Sequence, residues 1–174
     1  MRIYRYIGVT TTPIDLKNVV LTIKDNVAES VEVKFGEGNF TYTRAKTYEP
    51  QLDKGALDTV VLGDEVQMDI SFGGRWDYVR SDGSDLTVTD ALYQENGASA
   101  WVSTSASISG QECAPYCTDL QLVNTPTCTS GISNPIETIT FAQFRADNIA
   151  YDVSAGTLAV SGKSNTTKPT VVRS

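Results

Sequence analysis

The chain has 174 residues, of which 40% are hydrophobic and 20% charged, so it is long enough to bury a core and is typical of globular proteins. Its 14 Lys and Arg against 21 Asp and Glu give a net charge of -7, which disfavours specific nucleic-acid binding because such proteins present basic surfaces. The sequence has no His, which removes the usual general base and the commonest metal ligand and excludes most familiar hydrolase mechanisms.

The N-terminal segment lacks the features of a targeting signal. Arg2 and Arg5 supply early positive charge, but no continuous apolar stretch and no small-residue cleavage site follow them. Elsewhere, no apolar run approaches the about 20 residues that a membrane helix needs. We therefore expect neither a signal peptide nor a membrane span.

The hydrophobic pattern repeats every two residues, which is typical of β-strands with one solvated face. Residues 31–35 and 40–43 alternate in this way, and the turn-like residues 36–39 between them predict a β-hairpin. The clearest alternation covers residues 65–72. Shorter strand candidates, separated by Gly, Pro, Asn, Asp and Ser, are 19–23, 59–62, 76–79, 120–123, 137–141, 149–153 and 157–160. The sequence therefore predicts a mainly β architecture.

One short helix is predicted after residue 87. Thr87 and Asp90 have the spacing of a capping box, with Asp in the usual place of Glu or Gln. The apolar stripe that follows consists of Val88, Ala91 and Leu92. Gly97 is the expected stop, so the helix is short and should cover an edge or face of a sheet.

Two segments show no regular pattern. Residues 45–55 join two strand candidates over a length that exceeds a normal hairpin connection, which predicts a long loop with a function. Residues 109–135 carry all three Cys and three of the six Pro, and are expected to form an irregular, ordered excursion on the surface.

The three cysteines do not complete a known framework. An odd number cannot pair fully, and Cys113, Cys117 and Cys128 lack the fourth ligand of a closed zinc site. Reduced thiols are the preferred interpretation, with one disulfide or a metal site as alternatives. We expect no bound metal and no cofactor, and the role of these residues stays open.

The acidic residues do not form a catalytic pair. Asp64 and Glu65 are adjacent, so on a strand they point to opposite faces. Glu65 and Asp69 share a face but lie about 13 Å apart along it, which favours a solvated acidic surface. The sequence therefore predicts a protein that is not an enzyme.

The glycine pair and the aromatic residues have structural interpretations. Gly73 and Gly74 lack the Lys and the helix N-terminus of a phosphate-binding loop and are assigned to a turn. Trp76, Tyr78 and Trp101 are not interleaved with Lys or Arg, so packing in the core or at a subunit contact is favoured over stacking on nucleic acid or sugar.

The order of these segments resembles the major tail tube proteins of long-tailed bacteriophages. Residues 57–65 lead into the strand 68–72 and then into the helical Asp-Ala-Leu-Tyr at 90–93. Residues 135–145, with Phe144 and Arg145 at their end, and the closing segment 156–163 are similar to the last strands of such proteins. The similarity extends from about residue 35 to residue 173.

This resemblance implies a β-sandwich or flattened barrel of two packed antiparallel sheets with one short flanking α-helix, in a single domain spanning residues 1–174. It also implies a structural virion protein whose copies join edge to edge, usually six to a ring, and whose rings stack into the phage tail tube through which DNA is ejected. The lumen is expected to be acidic, so that DNA passes without specific binding. The implied location is the phage tail, assembled in the host cytoplasm, and the implied partners are tape-measure, tail-tip and terminator proteins.

Two sets of residues are expected to carry this function. Polar residues opposite the core side of the clearest strand, and of its neighbour, are predicted to face the lumen: Thr41, Thr43, Glu65, Gln67, Asp69 and Ser71. Residues of the long loop are predicted to contact the next ring: Tyr48, Pro50 and Leu52.

Two alternatives remain open. One is a monomeric β-sandwich binding module of the adhesin or carbohydrate-binding type. The other is a tail terminator or a baseplate ring protein of the same fold, because a fold alone does not separate these roles.

Overall fold

The computed structural model describes residues 18–27, 29–35, 39–54, 56–76, 80–81, 84–104, 115–125 and 136–174. The described chain is mainly β, as predicted. Its strands are β1 Val19–Lys24, β2 Ser30–Val33, β3 Phe40–Thr43, β4 Tyr48–Asp53, β5 Ala56–Leu62, β6 Met68–Arg75, β7 Arg80–Ser81, β8 Ser84–Asp85, β9 Thr118–Asn124, β10 Glu137–Asp152, β11 Thr157–Ser164 and β12 Thr170–Arg173. The helix α1 covers Val88–Tyr93, and a short 3-10 turn covers Asn96–Ala98.

Eight of these strands form one antiparallel sheet that bends into two packed layers. Layer 1 contains β2, β1, β9, the first half of β10 and β12. Layer 2 contains the second half of β10, β11, β6 and β3. The predicted fold of two packed antiparallel sheets with one flanking helix is therefore confirmed. The strands β4 and β5 pair with each other outside this sheet, as do β7 and β8.

The long strand β10 belongs to both layers because it bends near its middle. Its register shifts between Phe141 and Phe144, and Gln143 adopts a left-handed conformation with φ of 54°. The Gln143 N–H donates to Asp119 Oδ1 at 2.9 Å, which secures the bend from the neighbouring strand. Such a bulge bends a strand and increases its twist. The separate candidates 137–141 and 149–153 are thus two parts of one strand.

The predicted hairpin between residues 31–35 and 40–43 is wrong. Both segments are strands, but β2 pairs with β1 in layer 1 and β3 pairs with β6 in layer 2. The described residues that follow β2 and precede β3 lie beside the end of β6, where Arg75 N–H donates to Lys34 O at 2.7 Å and Gly73 N–H donates to Asn39 O at 2.8 Å. The two ends of the sheet are thereby brought together, and the layers form a flattened barrel.

Two glycines allow close approach inside this barrel. Gly74 lies within β6, not in the predicted turn, and a Cβ there would stand 3.0 Å from Val33 Cγ1. At Gly162 a Cβ would stand 2.0 Å from Arg145 O, beside the second register shift of β10. A Cβ at Gly162 would overlap the backbone, so only glycine fits there without a backbone shift. A Cβ at Gly74 would make a tight contact, and the neighbouring atoms would have to move by a few tenths of an ångström.

The core lies between the layers and consists of the inward side chains of the alternating strands. Aromatic rings join the two layers, since Phe40 of β3 lies 5.3 Å from Phe141 of β10 between ring centroids. The largest fully buried apolar side chains are Phe72, Phe141, Phe144, Leu21, Ile23, Met68, Ile70, Leu120 and Val160. Burial of each contributes about 1.5–3 kcal/mol to folding.

The predicted helix is confirmed. Thr87 Oγ1 accepts from the Asp90 N–H, and the Asp90 carboxylate accepts from the Thr87 N–H, which completes the capping box. The buried residues of the helix include the predicted apolar stripe, Val88, Ala91 and Leu92. The helix ends earlier than expected, at Gln94 with φ of 58°, so Gly97 lies in the following 3-10 turn.

The Asp90 carboxylate also anchors this turn, because Asn96 Nδ2 donates to its Oδ1 at 2.7 Å. Burial acts to raise the pKa of Asp90, but the hydrogen bonds from Thr87 and Asn96 outweigh it and hold the pKa below its usual value. Helix α1 is tied to the barrel by Tyr116, whose hydroxyl donates to Ala91 O at 2.9 Å. Burial raises the pKa of Tyr116, and Asp25 and Cys117 raise it further.

The segment 109–135 is not a surface excursion throughout. Its middle part forms β9, a central strand of layer 1 between β1 and β10, because Leu120 and Leu122 alternate inward. Cys117 is a buried free thiol next to Ser103. Cys113 and Cys128, together with Tyr78 and most of the strand candidate 76–79, lie outside the described residues. Trp101 is buried in the core.

Candidate assembly surfaces

Residues 45–55 were expected to be a loop, but most of them form a strand. β4 pairs with β5 in an antiparallel hairpin, with Tyr48 opposite Leu62 and Gln51 opposite Thr59. The β-branched residues of β5 favour this extended structure, and residues 48–53 alternate apolar and polar side chains, a strand signal that the loop prediction overlooked. Every residue of β4 is exposed, so this β4–β5 hairpin extends away from the barrel.

One face of the β4–β5 hairpin is entirely apolar. A register shift between Gln51 and Leu52 leaves Asp58 without an opposite residue and places Leu57 opposite Leu52. Without this bulge, alternation would bring Asp58 to that position. We call the result the apolar face, formed by Tyr48, Pro50, Leu52, Leu57, Val60 and Leu62. Four of its side chains are more than 60% exposed, which leaves a continuous apolar surface in water.

The base of the hairpin is held in a fixed position. Gly63 N–H donates to Thr47 O at 2.9 Å, and Thr47 Oγ1 donates to Asp64 O at 2.6 Å. A cleft of about 500 Å³ opens beside these residues, and across it Arg44 Nε donates to Thr167 O at 3.2 Å. The apolar face is therefore presented on a structured element with an anchored base.

Four of the six residues predicted to face a lumen share one surface of layer 2. Thr41 lies opposite Ser71 and Thr43 opposite Asp69, and all four are exposed or half-buried. The Thr41 and Ser71 hydroxyls are hydrogen-bonded at 2.6 Å. We call this surface the polar face, and β11 extends it with Ser161 and Lys163.

Glu65 and Gln67 do not belong to this strand surface. β6 begins at Met68, so the first residues of the alternating pattern precede the strand. Gln67 donates through Nε2 to Asn165 Oδ1 at 2.8 Å, at the connection that follows β11. Val66 is half-buried beside the cleft and is absent from the core. Alternation that continues into an extended connection cannot reveal where backbone pairing stops.

The polar face is balanced in charge, not acidic as expected. Lys163 Nζ lies 3.2 Å from Asp69 Oδ1, but both side chains are more than half exposed, so this ion pair adds little stability. By strand register and alternation, the charged residues of the face are Asp69, Asp147, Asp152, Arg75, Arg145 and Lys163. The net charge of -7 is therefore carried by other parts of the chain.

Besides the outer edge of β2, which pairs only with β1, three edges of the eight-stranded sheet have no partner among the described residues. β3 pairs on one side only, with β6. The second half of β10 pairs only with β11, and β12 pairs only with β10. Open edges present unpaired N–H and C=O groups and are sites for pairing with another chain.

The described residues contain no group of three or more acidic or cysteine side chains that could hold a metal ion. Within the same part of the chain, no helix is long and apolar enough to cross a membrane. The shifted pKa values occur at structural positions. In the turn after β10, hydrogen bonds from the Ser154 side chain and the Ala155 N–H lower the pKa of Asp152, with burial acting slightly against them.

No protein-family model and no curated protein matches this sequence. Several solved structures share its fold. The cap that terminates the tube of the anti-feeding prophage covers 100% of both chains, with 9% identity and a TM-score of 0.54. The sheath-tube complex of the extracellular contractile injection system PVC, in its extended state, gives a TM-score of 0.52 at 8% identity over 95% of both chains. The sheath/tube terminator of the same system gives 0.50 at 9% identity, over 95% of this chain and 99% of that one. This chain is therefore similar in fold to components of phage-tail-like particles.

Proposed function

We propose that this protein is a structural, non-enzymatic component of a phage tail or tail-like tube, in which its copies form stacked rings. The observation that carries this proposal is the exposed apolar face of the β4–β5 hairpin. A two-stranded hairpin is only marginally stable in water, and six apolar side chains on its surface would favour aggregation. Contact with another copy covers this face.

The ring itself forms through the open edges of layer 2. The edge of β3 and the edge of β10 residues 145–152 lie at opposite sides of this four-stranded layer. Pairing of one edge with the other edge of the next copy is a head-to-tail contact, which closes into a ring when the rotation per copy allows. Six copies in each ring are expected from the resemblance to tail tube proteins.

The polar face of layer 2 lines the lumen of this ring, with Thr41, Thr43, Asp69 and Ser71 exposed to the channel. Hydroxyl groups and balanced charges give DNA no cluster of basic residues to bind. DNA then passes without specific binding because the channel surface does not attract it. Strong repulsion between the channel and DNA is not required. Tape-measure and tail-tip proteins are the expected further partners.

The apolar face contacts the next ring, as proposed for Tyr48, Pro50 and Leu52. These three residues alternate along β4 and therefore point to the same side. Leu57, Val60 and Leu62 of β5 enlarge the same surface.

A tube terminator is the second candidate. Two of the similar solved structures are described as a tube terminating cap and a sheath/tube terminator, and their fold covers nearly the whole of this chain. A terminator would form one ring that ends a tube, whereas a tube protein would form stacks of many rings.

Electron microscopy of the concentrated, purified protein tests the proposal. Stacked rings with a central channel would support a tube protein, and single rings would support a terminator. Featureless monomers at all concentrations would contradict both and favour a monomeric β-sandwich module.

A further inference from the structure

A hydrogen bond at the base of the β4–β5 hairpin determines which main-chain N–H and C=O groups point toward the partner strand and which point outward. Gly63 N–H donates to Thr47 O at 2.9 Å, so this pair is a hydrogen-bonded pair of the antiparallel ladder. Such pairs alternate with pairs whose N–H and C=O groups point away from the partner strand. Along β5, the N–H groups of Leu62 and Val60 therefore point outward, while that of Val61 points toward β4.

The two outer edges of the hairpin differ because of one proline. Pro50 lies opposite Val60, at a position where the backbone points outward, so its missing N–H removes no bond within the hairpin. It does remove a donor from the middle of the outer edge of β4, which is how natural edge strands resist pairing. The outer edge of β5 has no proline and keeps its donors.

We infer that the outer edge of β5 is a strand-addition site, which accepts an extended strand from a second copy of this chain through main-chain hydrogen bonds. The inference rests on the proposed assembly into rings and tubes. It adds that the backbone of the hairpin, and not only its apolar side chains, makes the contact between copies.

The sequence of β5 suits such a contact. Ala-Leu-Asp-Thr-Val-Val-Leu contains no Pro or Gly and only one charge, at Asp58 in the bulge. Segments with strong β-propensity and low charge pair readily when their edge is open. Addition of a third strand also removes the marginal stability of an isolated two-stranded hairpin.

A second copy supplies a partner of the right kind. In the described chain, the edge of β12 is open, carries the exposed residues Val171 and Val172, and is not used by the ring contact proposed for layer 2. An open edge presents unpaired main-chain N–H and C=O groups, and pairing with another strand covers them. Pairing between copies covers two edges with one contact.

Substitutions at Val60 separate the backbone from the side chain. Val60→Pro removes the outward N–H but keeps an apolar side chain, and the hairpin tolerates proline at the facing position 50. Val60→Ala keeps the N–H and removes two methyl groups. We expect Val60→Pro to raise the concentration needed for assembly about tenfold or more, because the loss of one main-chain hydrogen bond at a buried contact weakens binding by about that factor. Val60→Ala should raise this concentration less. The reverse order, or equal assembly of Val60→Pro and wild type, would overturn the inference.

Amide hydrogen exchange of the wild type provides a second measurement. In the monomer, the Val61 amide should be protected by the hairpin while those of Val60 and Leu62 exchange freely. In the assembled state, the Val60 and Leu62 amides should become protected as well. Assemblies that form with these two amides still unprotected would overturn the strand-addition site and leave the proposed function intact. A wild type that never assembles would instead contradict the proposed function, and with it this inference.

Discussion

The barrel and the β4–β5 hairpin are both antiparallel β-structure, but the barrel buries its apolar side chains and the hairpin exposes them. Leu120 of the barrel is fully buried, whereas Leu57 of the hairpin is 63% exposed. The barrel buries most of its hydrophobic surface within one chain, and the hairpin leaves its apolar face exposed. Residues that determine folding and residues that we propose for assembly are thus separated along the sequence, and substitutions should separate their effects too.

The largest effect is expected from removing a core leucine. Leu120→Ala should lower the free energy of unfolding by about 2–5 kcal/mol, because it leaves a cavity between the layers. The matched variant Leu57→Ala should change it by less than about 0.5 kcal/mol, since surface substitutions have small effects. Urea unfolding of both proteins below the assembly concentration provides the measurement. A comparable loss in Leu57→Ala would mean that the hairpin packs on its own barrel.

A second large effect is expected at the bend of the barrel. Gly162→Ala would place a Cβ 2.0 Å from Arg145 O, so the backbone of β10 or β11 must shift. We expect a loss of about 3 kcal/mol in the free energy of unfolding, at the upper end of the range for overpacking. Gly156→Ala is the control, because its new Cβ would meet nothing within 4 Å. Its φ of 63° should still cost about 1 kcal/mol. Equal losses of unfolding free energy in the two variants would show that a small backbone shift is enough to relieve the close approach at Gly162.

Helix α1 should show a smaller effect that depends on pH. Asp90→Asn should cost about 1 kcal/mol at neutral pH, because it weakens the capping box. Hydrogen bonds lower the pKa of Asp90 in the folded state, so its carboxylate stabilises the fold above the unfolded-state pKa of about 3.9. The difference between wild type and variant should shrink as pH falls through the folded-state pKa below that value. Thermal unfolding from pH 7 to pH 2 would measure it, and a constant difference would refute this role.

The smallest effect on the barrel is expected at Thr118. Its side chain is 1% exposed, and its hydroxyl has no hydrogen-bond partner in the described structure. Thr118→Val replaces this buried hydroxyl by a methyl group of similar size, and the free energy of unfolding should rise by up to about 1 kcal/mol. Destabilisation by more than that amount would reveal a polar partner for Thr118 Oγ1.

Local patterns in the sequence were enough to predict most strands and the helix. The alternation of β1, β2, β3, β6 and β11 places apolar residues on one side, and the capping-box spacing of Thr87 and Asp90 marks the helix start. Pairing between strands was harder to predict. β2 and β3 follow each other in the chain and are joined by a glycine-rich segment. They nevertheless lie in different layers, because β2 hydrogen-bonds to β1 and β3 hydrogen-bonds to β6.

The candidate assembly surfaces were predicted only in part. Tyr48, Pro50 and Leu52 were selected as exposed apolar residues of a loop, although residues 48–53 alternate apolar and polar side chains and form a strand that pairs with β5. The bulge at Asp58, which completes the apolar face, has no local signal in the sequence. β12 was missed because Thr170–Arg173 is short and its strand form depends on the edge of β10. The balance of acidic and basic residues on the polar face likewise depends on which strands pair with each other.

Sedimentation velocity on a double variant tests the central claim, that the apolar face is an assembly surface. Leu52→Ser combined with Leu57→Ser should keep the unfolding free energy of the wild type, while Val27→Ser, at a 59% exposed valine in the turn after β1, serves as a control outside the hairpin. We predict that wild type and Val27→Ser form large assemblies at high concentration, whereas the double variant sediments as smaller species at the same concentration. Assembly of the folded double variant to the same size as wild type would contradict the account.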